Sequence, residues 1–349
     1  MHLTLTQALI LGLLQGVAEL FPISSLAQTI LIPALLGWNL NQKDSDFLAF
    51  VVALHLATAI ALVIYFWKDW RKVIAGFFGC LTHGKLVYDR DSKFAWLLVA
   101  GTVVVGAVGL AAEKKLRTFF EDPKMTWVVA AILVVNGFVM LFGDFMKRRA
   151  SAPPMADPEH APDLAMHAAL VGAPISRGTA PEGYVGGKYS KNAEDLSFTQ
   201  ATLVGAAQTF ALLPGISRSG VTMVSGLFAG LSYEQSSRFT FMLATPVIAL
   251  AAILKVPSLL HSQTPGLLKL SIYGSIAAGI AAYLSIRFLM RYFHTNRLWP
   301  FGVFCLVFGL ASAVYLKAHP EQDLTQKPGQ NASVDGSGQV VAKNAPTGR

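Results

Sequence analysis

Glu19 and Arg218 are the charges best placed to do chemistry in this chain, because each sits in a copy of one polar element inside an apolar run. The first copy reads LLQGVAELFPISSLAQTI and the second AAQTFALLPGISRSGVTM. Laid together without a gap, Gln15 falls on Gln208, Ile23 on Ile216 and Ser24 on Ser217. Glu19 occurs only in the first copy and Arg218 only in the second, so one offers an anion and the other a cation. The planar fork of Arg218 binds two phosphate oxygens at once and stays ionised in any environment. Ser217 and Ser219, with the backbone N–H groups through Gly220 and the Pro214-Gly215 turn before them, make an anion nest. Thr222 opens the next half-helix, whose N-terminus favours phosphate. The alternative for these serines is a polar lining of a tight turn, and for Glu19 an ion pair with Arg218 that merely locks the two elements together.

These elements must be held by a membrane scaffold. Of 349 residues, 53% are hydrophobic and 14% charged, which places the chain among integral membrane proteins. Uncharged stretches of the ~20 residues needed to cross a bilayer run over 47–66, 94–112, 125–143 and 298–316. Two shorter ones, 239–254 and 270–286, span if flanking Lys and Arg snorkel. The start of the chain lacks the basic region and small-residue cleavage site of a signal peptide, so it is expected to stay. Cys80 and Cys305 are too few for a metal site or a disulfide framework. The net charge of +8 reads as loops facing anionic lipid, with no nucleic acid as partner.

Pro22 and Pro214 interrupt the two repeated elements near their midpoints, and each Pro removes a backbone donor. Broken backbone at membrane depth survives only where protein or a water-filled cavity satisfies it. Re-entrant hairpins fit this best. The expected fold is therefore an all-α integral membrane protein, with six transmembrane helices plus two re-entrant helical hairpins in an inverted-topology repeat. The first repeat covers 1–149, a flexible cytoplasmic linker 150–197, the second repeat 198–318, and a disordered polar tail 319–349. One set of loops carries about twice the Lys and Arg of the other, which puts both termini outside. Asn331 begins an Asn-Ala-Ser string, a weak glycosylation match.

The strings QGVAELFPISS, LHLATAIALVIYFWKDW, AQTFALLPGISRSGVT, GLSYEQSSRFTFMLATPVI and IRFLMRYF resemble the undecaprenyl-diphosphate phosphatases associated with bacitracin resistance. The likeness runs through nearly all of 1–318, apart from the linker. It implies a hydrolase of the bacterial inner membrane that removes the terminal phosphate of undecaprenyl diphosphate and recycles the lipid carrier of cell-wall synthesis. The expected partners are that lipid and the membrane, with a homodimer left open. The resemblance also implies dependence on Mg or Ca, held by Gln15 and Glu19, which lie on one helix face because they are four apart. Glu19, Ser25 and Arg218 take the catalytic roles, Ser25 as nucleophile or phosphate contact. Ser24, Gln28, Gly215, Ser217, Ser219 and Thr222 bind substrate.

The family places a His three residues after Ser25, in a Ser-x-Gly-His string, where this chain reads Ser25-Leu26-Ala27-Gln28. Glutamine orients a water or a phosphate oxygen but takes no proton near neutral pH. His55 is a candidate replacement, although a lone intramembrane His more often bonds helices together. A second reading follows from the lost His: a polyprenyl-phosphate or anionic-lipid transporter on the same fold, without hydrolysis.

Overall fold

The computed structural model describes residues 3–38, 40, 44–120, 126–151, 184–185, 188–189, 191–262, 264–319, 332–334 and 340–342. Nearly all of them are helical. The helices are α1 (Leu5–Ala18), α2 (Ser25–Leu35), α3 (Ser45–Tyr65), α4 (Trp67–His83), α5 (Arg90–Phe120), α6 (Thr126–Ser151), α7 (Phe198–Ala207), α8 (Arg218–Phe228), α9 (Tyr233–Lys255), α10 (Leu267–Thr295) and α11 (Trp299–Ala318). Two short antiparallel strand pairs, Tyr184–Val185 with Lys188–Tyr189 and Ala332–Val334 with Val340–Ala342, lie in the central linker and the tail. Asn331 lies outside the described residues.

Six helices, α3, α5, α6, α9, α10 and α11, are long and apolar enough to cross a membrane. They coincide with the six stretches read from the sequence. Large apolar side chains stay exposed around them, as on α10, where Ile272, Ile276, Ile280 and Leu284 recur every four residues along one face. Such a stripe is suited to lipid chains and costly in water. The chain is a multi-pass membrane protein.

The paired short helices behave differently. At 1.5 Å per residue, the 14 residues of α1 and the 11 of α2 reach about 21 and 16 Å, well short of a ~30 Å hydrocarbon core. Thr4 and Gln7 form a capping box at the start of α1, and Ser197 and Gln200 form one at the start of α7. Each pair then bends, through Glu19–Ser24 in the first and through a 3₁₀ turn, Gln208–Leu212, in the second. Ser24 caps α2 and Ser217 caps α8, so both second limbs begin on a serine oxygen that accepts a backbone N–H.

Backbone contact between small residues seats these limbs. A Cβ on Gly12 of α1 would stand 2.2 Å from the carbonyl of Gly274 on α10, and one on Gly205 of α7 would stand 2.2 Å from that of Gly101 on α5. The first limb of each pair thus lies against a span from the other half of the chain. Close approach of this kind is how helices associate where lipid supplies no hydrophobic driving force.

Two findings differ from the sequence reading. Residues 67–83, which fall between the uncharged stretches 47–66 and 94–112, form a further helix, α4, which packs on α5 where Gly76 meets the backbone of Asp91 and Ser92. The end of the central linker is also anchored: Ala193 and Leu196 are fully buried, and Arg238 bonds Glu194 and Asp69, each at 2.6 Å. Arg90 adds a 2.8 Å contact to Asp195. Burial would raise the Asp195 carboxyl, but the Arg90 guanidinium, the Asn192 backbone N–H and the Lys93 charge together hold the group below its ordinary value. The apolar side chains of this segment give the helical core something to bury, which a polar linker would not.

Candidate functional site

The two bends meet within the helical body and line a half-open cavity of about 220 Å³. Its polar lining is Glu19, Ser24 and Ser25 from the first bend, Gln208, Ser217 and Arg218 from the second, and His55 from α3. Each bend is tied to the other: Ser24 Oγ donates to the Ile216 carbonyl at 3.3 Å, and Ser219 Oγ to the Phe21 carbonyl at 3.4 Å. Ser24 adopts φ 64°, a left-handed conformation that is rare without glycine, and this turns the chain sharply into α2.

Glu19 is the centre of the arrangement. Its carboxylate is nearly buried and receives a hydrogen bond from Ser25 Oγ at 2.6 Å and from Gln15 Nε2 at 3.0 Å, both on Oε2. Arg218 pairs with the other oxygen. His55 Nε2 stands 3.3 Å from Oε2, while its Nδ1 faces the Val51 carbonyl at 2.8 Å. A buried carboxylate is stable only when paired and hydrogen-bonded, and this one has four partner side chains from three parts of the chain.

The cavity also receives two helix N-termini. Ser25 is the first residue of α2 and Arg218 the first of α8, and both lie on its wall. The unpaired N–H groups and dipole at a helix start favour an anion. Ser217 Oγ is 3.0 Å from Ser219 Oγ and accepts the Gly220 N–H at 3.2 Å, so the two serines shape the turn, and Ser217 also lines the cavity.

Four of the expected substrate contacts lie away from the cavity wall: Ser219, whose hydroxyl is spent on the Phe21 carbonyl, and the three that follow. Gln28 is buried and donates through Nε2 to the Ile23 carbonyl at 3.2 Å, bracing the first bend from behind. Gly215, at φ +111°, packs its α-carbon where a Cβ would meet the Val129 carbonyl at 2.7 Å, and so serves the approach to α6. Thr222 is fully buried and donates to the Arg218 carbonyl at 2.7 Å within α8. In each case the polar atom is consumed by the backbone, or the space by a neighbouring helix.

Two residues at the site were harder to read in sequence. His55 was visible in LHLAT, but its approach to Glu19 depends on how α3 packs. Asn136, fully buried on α6, accepts the Ser217 N–H at 2.9 Å and donates to the Pro22 carbonyl at 3.4 Å. It thereby satisfies both bends with one amide. Only its lone polarity within the apolar stretch 125–143 hinted at a role.

Among the described residues no three His, Cys, Asp or Glu side chains gather closely enough to hold a metal by themselves. Gln15 Oε1, however, is buried and has no partner, beside the Glu19 carboxylate that its own Nε2 contacts. One carboxylate with neutral oxygens fits an ion whose remaining ligands are substrate phosphates.

Comparison with known proteins agrees with the geometry. The family model described as Bacitracin resistance protein BacA matches residues 8–311. A protein of Mycolicibacterium paratuberculosis named undecaprenyl-diphosphatase is 42% identical, over 90% of this chain and 98% of its own length. Undecaprenyl-diphosphatase 2 of Frankia alni is 42% identical over the same shares. Undecaprenyl-diphosphatase 1 of Burkholderia pseudomallei is 39% identical, over 89% of this chain and 96% of that protein. With both bends, five of the spans, most of the sixth and the cavity between the bends inside the matched range, the chain belongs to the bacitracin resistance protein BacA family.

Proposed function

We propose that this chain is a hydrolase that converts undecaprenyl diphosphate to undecaprenyl phosphate and inorganic phosphate, recycling the carrier lipid of cell-wall synthesis. The observation that carries this is the Ser25–Glu19–Arg218 constellation, in which a hydroxyl, a carboxylate and a guanidinium share one half-open cavity. A diphosphate needs positive charge on its oxygens, a nucleophile in line and help for the leaving group, so positioning and electrostatics do most of the work. Ser25 Oγ attacks the terminal phosphorus and passes its proton to Glu19, whose Oε2 already accepts that hydrogen at 2.6 Å. The bond to the bridging oxygen breaks and the lipid monophosphate leaves. Water then cleaves the phosphoserine, releasing inorganic phosphate and restoring Ser25.

Arg218 turns from Glu19 to the phosphoryl oxygens as substrate enters, and the N-termini of α2 and α8 share their charge. Ser24, Ser217 and Ser219 shape the nest around them. Gln28, Gly215 and Thr222 act behind it, as supports. Glu19 and Gln15 are the residues that would hold Mg or Ca, which would neutralise charge on the diphosphate.

The transport reading was motivated by the missing His at position 28. It loses that motive, since the Glu19 carboxylate stands ready as proton acceptor beside Ser25 and the relatives carry a hydrolase name over nine tenths of the chain. We also propose re-entrant hairpins for α1–α2 and α7–α8 and an inverted repeat. The reciprocal seating of α1 on the second half and α7 on the first supports that arrangement. The inner membrane is proposed from the family likeness, and the placing of both termini outside from the loop charges. The deciding experiment is phosphate release from undecaprenyl diphosphate by purified protein with and without Mg. Release that is lost in Glu19→Ala supports the reading, and its absence in the wild type overturns it.

A further inference from the structure

Gln208 stands where α7 gives way to the 3₁₀ turn, on the wall of the cavity that holds Glu19 and Arg218. It is 2% exposed, and neither its Oε1 nor its Nε2 has a partner in the protein. Its counterpart in the first copy shows what is different. Gln15 donates to Glu19 four residues on, whereas the residue four beyond Gln208 is Leu212, an apolar side chain lining the same cavity. The second copy keeps the amide and lacks the carboxylate.

A primary amide carries two donors and an acceptor. Burying all of them unmet is costly, and a Leu or Met of similar size would avoid that cost. Buried polar groups are almost always met by something, and here the space in front of the amide is the substrate cavity. Charge explains why an amide suits the position. A Lys or Arg there would compete with Arg218 for Glu19, and a carboxylate would repel phosphate. An amide donates to an oxyanion without doing either.

We propose that Gln208 is a substrate-binding residue, whose Nε2 donates to a phosphoryl oxygen of the lipid diphosphate alongside Arg218 and the N-terminus of α2. This rests on the hydrolase reading above, and it adds a contact from the second copy that neither the family match nor the repeated charges assign.

The test uses full-length wild type, Gln208→Leu and Gln208→Met in detergent. Turnover constants on undecaprenyl diphosphate are measured together with thermal unfolding, with and without inorganic pyrophosphate. Both variants are expected to unfold at or above the wild-type temperature, since they remove an unmet polar group. KM should rise about 10- to 100-fold, the scale of a lost hydrogen bond to a charged partner, and stabilisation by pyrophosphate should shrink. Unchanged KM and unchanged pyrophosphate stabilisation would overturn the proposal and leave a merely buried amide. Should Gln208→Leu fail to fold, the longer and more flexible Met variant carries the same readouts. A wild type that is stabilised by pyrophosphate but releases no phosphate from the lipid would defeat the hydrolase reading alone. The stabilisation difference between wild type and variants then still decides Gln208. A wild type that gains nothing from pyrophosphate overturns the anion contact itself.

Discussion

Ser25 and Arg218 occupy the same position in the two copies of the repeated element, each the first residue of the helix after its bend, and both reach the carboxylate of Glu19. Equivalent backbone places therefore present a hydroxyl from one side and a guanidinium from the other. The repeat supplies two similar helix starts, and the different residue at each makes them chemically complementary.

Arg218→Lys keeps the charge but loses the fork that engages two oxygens. Phosphate release under subsaturating lipid diphosphate should fall by roughly 10²-fold, the scale for losing one preorganised donor. A kcat/KM equal to wild type would show that Arg218 acts only by pairing with Glu19 in the substrate-free protein.

Asn136→Leu removes the amide that satisfies both bends, leaving the Ser217 N–H unpaired and the Pro22 carbonyl with only the weak Cys305 thiol contact at 3.8 Å. Each buried, unmet group costs about 1–3 kcal/mol. The variant should unfold at lower temperature in detergent, and turnover per folded molecule should drop as the two bends lose their common tether. A drop in turnover without loss of stability would instead give Asn136 a direct part in the site.

Gln28→Met tests whether position 28 matters for chemistry or for shape. Its amide bonds the Ile23 carbonyl and lies off the cavity wall. We expect a loss of about 1 kcal/mol in stability, with kcat nearly unchanged for the folded fraction. A large fall in kcat at normal stability would return Gln28 to the substrate.

Topology can be read by labelling single cysteines in a Cys80→Ser, Cys305→Ala background. A cysteine placed in 150–183 should react from the cytoplasmic side, and one in 335–339 from outside. Labelling of both from the same face would break the inverted repeat, because three spans per half must carry the chain across.

Much of this was open to inspection in the residue string. Bilayer crossing imposes length and polarity on a segment regardless of its neighbours, so the six spans could be counted from composition, and the charged pair stood out because ionised groups at membrane depth are rare. Glu19, Arg218, Ser24, Ser25 and Ser217 do gather around one cavity. The tertiary structure decided which polar groups face that cavity and which are used up by the backbone. Gln28 and Thr222 sit beside site residues in sequence yet spend their hydrogen bonds locally, while His55 reaches the cavity from a separate helix, Asn136 ties the two bends from another, and Gln208 lines the cavity from within the second bend. Helix spacing tells which residues share a face. The partner opposite that face is set by how close small residues such as Gly12, Gly101, Gly205 and Gly274 let two backbones come. That close approach is a property of pairs of helices far apart in the chain, so no local pattern in the sequence encodes it.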